Sequence, residues 1–335
     1  MTRSLRTASL LLLTAIAVPM LFMGEKIQPR IPGQWLKYRD LREARAGACT
    51  VVLTDGRMLT TGGQGRRGPL ATAEFLSVEG EFTTVSQTTV ARSEHVCATL
   101  PNGQVLAAGG RVSGDAATNA AELYNPDTDT WTPIQSMREA RIGATVTKLA
   151  DGRLVIAGGE ASGTASATLE IFDPNTLSFS LASGSMVSSR KGHAATLLPN
   201  GSVLIAGGSN DKTPLDTAEV FDPAAGTIAS IGKMKVAREG LSATLLDNGR
   251  VLLVGGSNGV EDLASSELFD AKTMSFSDGP AMSAPRRSHQ AFLMPHNNTV
   301  VIVGGTSAGE PLATAEQFAW WTNKYAGSFK KLDDL

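Results

Sequence analysis

The sequence is poor in reactive side chains: of 335 residues only 2 are Cys, 4 are His and 3 are Tyr. Two cysteines, Cys49 and Cys97, cannot build a disulfide framework. They read as two free, buried thiols, with a single bridge as the alternative. Charge of one sign is also lacking: 30 Lys and Arg face 32 Asp and Glu, a net charge of −2. That balance gives no electrostatic reason to bind nucleic acid. No H-E-x-x-H occurs, so the usual mark of a zinc hydrolase is missing. No cofactor is implied.

Long apolar runs are absent except at the start. Arg3 and Arg6 precede eighteen uncharged residues, Thr7 to Gly24, around "ASLLLLTAIAVPMLFM". As a helix this run would extend about 27 Å, close to a hydrocarbon core of ~30 Å. Residues 1–24 are therefore expected to be a signal peptide or a membrane-anchor helix, and Ala15-Ile16-Ala17 fits a cleavage site. Residues 25–34 would be a linker. The bulk of the chain, 35–335, is then exported: anchored facing outside the cytoplasm, or secreted or periplasmic after cleavage.

Glycine, by contrast, is abundant, with 35 residues. Much of it is periodic. A Gly-Gly pair recurs at 62–63, 109–110, 158–159, 207–208, 255–256 and 304–305, at spacings of 47, 49, 49, 48 and 49. An arginine (Arg45, Arg92, Arg141, Arg190, Arg238) stands 17 residues before the first glycine, and Arg286 stands 18 before. A glutamate (Glu74, Glu122, Glu170, Glu219, Glu267, Glu316) follows it by twelve residues, thirteen in the second copy. Two residues later comes Leu76, Tyr124, Phe172, Phe221, Phe269 or Phe318. A bulky residue closes each unit: Phe82, Trp131, Phe179, Ile228, Phe276 and Tyr325.

Each unit reads as four short strands, A to D. In the fourth, "GHAATLL" and "SVLIAGG" flank an Asn-Gly turn, and "TAEVFD" and "TIASI" flank "DPAAG". Strand B is apolar without alternation ("VLIA", "VLLV", "VVIV"), as a strand covered on both faces must be. Stacked four-stranded units meet that condition in a β-propeller. An apolar strand, Gly-Gly, an aromatic and a Trp-like residue at this period resemble the kelch repeat over residues 35 to 325. The resemblance implies an all-β, six-bladed propeller with four antiparallel strands per blade. It leaves function open, because kelch-type propellers include binding scaffolds, sugar epimerases and copper oxidases. A seventh D-like segment, "QWLKYRDLREAR" around Trp35, competes with "NKYAGSF" around Tyr325 to close the last blade.

Residues present in every blade are expected to be architectural. Glycine at the end of strand B allows unusual φ and close backbone approach. As a further reason for the pair, the six arginines and six glutamates should form ion pairs crossing over the glycines, where strand B has no side chains in the way. Gly63-x-Gly65-x-x-Gly68 matches a dinucleotide fingerprint, but "PLATAEF" follows instead of a helix. His95, His193 and His289 share one register in blades two, four and six, three residues after the arginine. Packing between blades is their expected role; a metal site on the axis is the weaker alternative. Tyr38, Tyr124 and Tyr325 pair with no histidine, so copper-radical chemistry has no support. Asn200 and Asn297 head sequons that fall in tight turns.

Variation collects in the B–C loops, where binding to a rigid scaffold usually resides. The candidate ligand-binding residues there are Arg66, Arg67, Arg111, Asp115, Glu160, Asn210, Asp211, Asn258, Glu261, Asp262 and Glu310. Arg66, Arg67 and Arg111 against Asp211, Glu261 and Asp262 suggest a face split into a basic and an acidic side. The expected function is a non-catalytic module binding a protein or glycan through this face. The alternative is a carbohydrate-active enzyme, epimerase- or mutarotase-like, on the same face.

Overall fold

A computed structural model describes residues 41–77, 81–294, 299–312, 314–319 and 328–331. The expected signal or anchor segment, the linker, Trp35, Tyr38, Asn297 and Tyr325 lie outside the described residues. Among the described residues no helix is long and apolar enough to cross a membrane.

Six four-stranded antiparallel sheets succeed one another along the chain, each in the order A-B-C-D. Blade one is Cys49–Val52, Met58–Thr61, Ala73–Leu76 and Phe82–Val85; blade two is Val96–Thr99, Val105–Ala108, Ala121–Asn125 and Thr130–Ile134. Blade three is Thr145–Lys148, Leu154–Ala157, Leu169–Asp173 and Ser178–Leu181; blade four is Ala194–Leu197, Val203–Ala206, Thr217–Asp222 and Thr227–Lys233. Blade five is Ser242–Leu245, Arg250–Val254, Ser266–Asp270 and Ser275–Asp278; blade six is Gln290–Met294, Thr299–Val303, Ala315–Ala319 and Ser328–Lys331. This is the six-bladed propeller that the repeat implies. The A–B turns follow the Asn-Gly and Asp-Gly pairs, with Gly103, Gly152, Gly201 and Gly249 at positive φ.

Strand B is the middle of each core. Leu154–Ala157 and Val203–Ala206 are buried at every position. The A strands of consecutive blades lie side by side from blade one to blade six. Five apolar clusters fill the five junctions between consecutive blades. In each, the aromatic of strand C and the bulky residue of strand D face the preceding blade. Phe172 and Phe179, with ring centroids 4.8 Å apart, thus pack with Leu106 and Leu123 of blade two. Burying one such side chain fully stabilises the fold by about 1.5–3 kcal/mol.

The last blade closes with the C-terminal strand. Ser328–Lys331 pairs with Ala315–Ala319, and Phe329 sits opposite Phe318 with centroids 5.1 Å apart. Phe329, not Tyr325, therefore fills the bulky D position. Residues 320–327 separate strands C and D here, against four residues, 126–129, in blade two, which shifts the register past the sequence-based expectation.

The cysteines also correct an expectation. Cys49 and Cys97 are joined in a disulfide, with Cα atoms 5.9 Å apart. Side chains of strand A alternate between the two neighbouring blades. Cys49, first in its strand, faces forward from blade one; Cys97, second in its strand, faces back from blade two. Adjacent blades bring the two sulfurs together.

Candidate functional site

The repeated arginines and glutamates form one buried device per blade. Arg45–Glu74, Arg92–Glu122, Arg190–Glu219 and Arg286–Glu316 are bridged by Nη2 at 2.7, 2.7, 2.6 and 3.0 Å. Arg141 reaches Glu170 through Nε at 3.2 Å, and Arg238 reaches Glu267 at 3.2 Å. Every arginine Nη1 also donates to the carbonyl of the first glycine of its blade, at 2.6–3.0 Å. The glutamates complete the set by accepting backbone N–H groups from the loop that leads into strand A. Val187 and Ser188 donate to Glu219, and Lys235 and Val236 to Glu267. Burial pulls the Arg92, Arg190 and Arg238 guanidinium groups below their ordinary pKa, while the paired carboxylates act upward.

The glycine pair serves the close backbone approach expected of it. A Cβ on Gly62, Gly158, Gly207 or Gly255 would lie 2.4–2.5 Å from the backbone carbonyl of the next blade's arginine. A Cβ on Gly208 would lie 2.6 Å from the carbonyl of Lys191 in its own blade. The pair makes room for two backbones rather than for the guanidinium. The second glycine then welds the blades: its N–H donates to the next arginine's carbonyl, as from Gly63 to Arg92 at 2.8 Å and from Gly208 to Arg238 at 2.7 Å.

The histidines do not converge on the axis. Each points into its own junction, because its register turns it toward the preceding blade. Nε2 of His193 meets Thr145 Oγ1 at 2.8 Å, and Nε2 of His289 meets Ser242 Oγ at 2.8 Å. Burial, with the nearby Arg92 or Arg190, pushes His95 and His193 down to about 3, and His289 falls to about 4. All three are neutral at pH 7. Among the described residues no cluster of His, Cys, Asp and Glu could hold a metal ion.

The B–C loops share one face with the starts of the A strands. Their charges interleave instead of splitting into two sides. Arg111 pairs with Glu94 at 3.1 Å and lies 3.7 Å from both Asp115 and Glu160. Glu160 also pairs with Lys191 of blade four. Arg287 reaches Asp262 at 3.3 Å and Glu239 at 3.9 Å. Several candidates are occupied by loop structure. Asp211 accepts the N–H of Ala165 in the preceding loop, and Asp262 accepts that of Ala308 in the following one. Asn210 caps Lys212 and Thr213; Asn258 caps Val260 and Glu261. Arg66, Arg67, Glu261 and Glu310 are exposed.

Two concavities open on this face, each of about 450 Å³. One is the channel mouth, lined by Glu94, Glu160, Lys191, Glu239, Arg287 and Thr306 among others. The other runs between the loops of blades five and six, past Glu261, Asp262 and Ala308, and Arg287 belongs to both. Val260, 93% exposed, stands beside it. Lys191, Glu239 and Arg287 were not singled out from the sequence. Their signal is the position directly after the repeat arginine, which reads Ala46, Ser93, Ile142, Lys191, Glu239, Arg287 and so varies as the loops do.

Comparison with known proteins agrees with this architecture. The KLHDC2/KLHL20/DRC7 kelch-repeats domain matches residues 48–256 and 143–326. The chain belongs to the kelch-repeat family. Its propeller is also similar to part of the F-box/kelch-repeat protein At1g67480 of Arabidopsis thaliana, 32% identical over 98 residues, 28% of this chain. That match spans 26% of the Arabidopsis protein. The solved structure of YjhT superposes with a TM-score of 0.68 at 14% identity, over 87% of this chain and 99% of that one, a likeness of fold. Kelch propellers commonly bind proteins, and nothing here points to nucleic acid.

Proposed function

We propose that this kelch propeller is a non-catalytic binding module that takes a protein ligand on its B–C loop face, exported or held outside a membrane by residues 7–24. One observation carries the reading. The two 450 Å³ concavities lie side by side on the variable face and share Arg287. The repeated arginines and glutamates, meanwhile, pair with one another inside the blades. A surface of alternating charges around two shallow hollows, with an exposed valine at the rim, suits an extended contact better than a small enclosed substrate.

The test is site-specific photo-crosslinking in the full chain, in its native cell. A crosslinker at Val260 or Arg66 should capture one defined protein, and a crosslinker at Asn175, in the C–D turn of blade three, should not. Equal capture from both sites, or none from the loop face, overturns the binding reading. A glycan array with the same protein separates a sugar ligand from a protein one. For export, a reporter active only outside the cytoplasm, fused after Leu335, should be active; an expressed but inactive fusion overturns that part.

A further inference from the structure

Three histidines occupy equivalent places in the junctions between blades one and two, three and four, and five and six. Their rings lie over the first glycine of the preceding blade. Cε1 is 2.8, 2.8 and 2.9 Å from the ideal Cβ position of Gly62, Gly158 and Gly255 for His95, His193 and His289. Two of them bond a hydroxyl that opens the preceding blade's strand A, Thr145 for His193 and Ser242 for His289. The register places Cys49 at that same position in blade one: Cys49 pairs with Thr61 as Thr145 pairs with Ala157 and Ser242 with Val254. Its sulfur is bound to Cys97 and has no proton to give. Both ring nitrogens of His95 are buried without a partner. Buried polar groups nearly always have one, so this exception asks for a reason.

We propose that Cys49–Cys97 is a reducible bond, exchanging with small thiols or dithiols, and that His95 is built to receive the Cys49 thiol of the reduced state. A dithiol delivers two electrons. Its thiolate attacks Cys49, the less buried of the two residues, and forms a mixed disulfide. Cys97 leaves and takes a proton. The second thiol of the reagent then displaces Cys49, which is protonated in turn, and the reagent ends as a cyclic disulfide. The free Cys49 thiol donates to His95 Nε2, in the place held by the Thr145 and Ser242 hydroxyls. The junction thus exchanges a covalent tie for a hydrogen bond, and reduction leaves the blade interface standing. This does not depend on which ligand the loop face takes.

The experiment uses the full chain. In a glutathione redox series, both cysteines should become alkylatable while tertiary circular dichroism stays native. Unfolding on reduction, or no reduction under conditions that reduce exposed disulfides, overturns the proposal. A double-mutant cycle tests the histidine independently. With Cys97→Ala as background, Cys49→Ser should fold with an equilibrium constant roughly tenfold above Cys49→Ala, the scale of one hydrogen bond to a buried acceptor. The advantage should vanish in His95→Leu, a residue the fold already accepts in this register at Leu241. Equal stability of the serine and alanine variants with His95 present also overturns it.

Discussion

Arg190 is fully buried, yet its charge has nowhere to be lost: Glu219 meets Nη2, and the carbonyls of Gly207 and Thr217 meet Nη1. Glu219 in turn holds two backbone N–H groups. A buried ion pair of this kind holds because nearly all of its remaining donors and acceptors are satisfied, Nε of Arg190 being the exception. Removing one partner strands the other charge in a site closed to solvent. Arg190→Met should therefore lower the unfolding free energy by about 3–5 kcal/mol, read by urea titration. Asp216→Asn, which breaks the exposed pair with Lys233 at 3.0 Å, should shift it by less than ~1 kcal/mol. Similar losses from the two variants would mean the repeat pair is no more tightly held than a surface one. This device was legible in the sequence as a near-constant spacing, 17 or 18 residues before the first glycine and twelve or thirteen after. Close backbone approach at the glycines was legible too, but not which backbone comes close, because the next blade's arginine carbonyl is met only in the third dimension.

At the scale of the strand, the even-numbered blades carry a titratable group that the odd ones lack. Strand A is preceded by His95, His193 and His289 in blades two, four and six, and by Ala48, Ala144 and Leu241 in the others. In the folded chain the three are held down to about 3, 3 and 4 by burial and a neighbouring arginine. In the unfolded chain each returns to about 6.5. Below that value the unfolded state binds more protons, so stability is complete above pH 6.5 and lost as pH falls toward the folded values. Each histidine contributes a slope of about 1.4 kcal/mol per pH unit in that window. His193→Leu should flatten the acid limb of a stability–pH curve by about that amount between pH 6 and 4. An unchanged limb would show that His193 is protonated in the fold. The A-strand register also carried the disulfide: cysteines at the first and second positions of consecutive A strands face one another. Composition favoured free thiols; only the repeat alignment, applied to the cysteines themselves, points to the bond. The closing strand was harder to read, since Phe329 and Tyr325 both fit a bulky D position and only the strand pairing separates them.

Across the whole molecule the junctions are not equal. Five carry a glycine-to-arginine backbone bond and an apolar cluster. Between blades six and one, neither occurs among the described residues. The two faces there are uncovered instead: Phe292 of blade six is 47% exposed and Val52 of blade one 58%. The sequence marks the same place, since blade one has Leu76 where the other five blades turn an aromatic toward the preceding blade. A pair of glycines provides an internal control. Gly255 and Gly304 are both first glycines, and both have φ of +63°. The left-handed backbone penalty of an alanine is therefore the same at each, about 1–2 kcal/mol. Crowding differs: a Cβ on Gly255 would lie 2.5 Å from the carbonyl of Arg286, whereas on Gly304 the nearest atom is the carbonyl of Leu312 at 3.6 Å. Gly304→Ala should lose only the backbone penalty. Gly255→Ala must also force two blades apart, and its loss in urea unfolding should exceed the other by more than 1 kcal/mol. Equal losses would place the carbonyl of Arg45 over Gly304, and the ring would then be sealed alike at all six junctions.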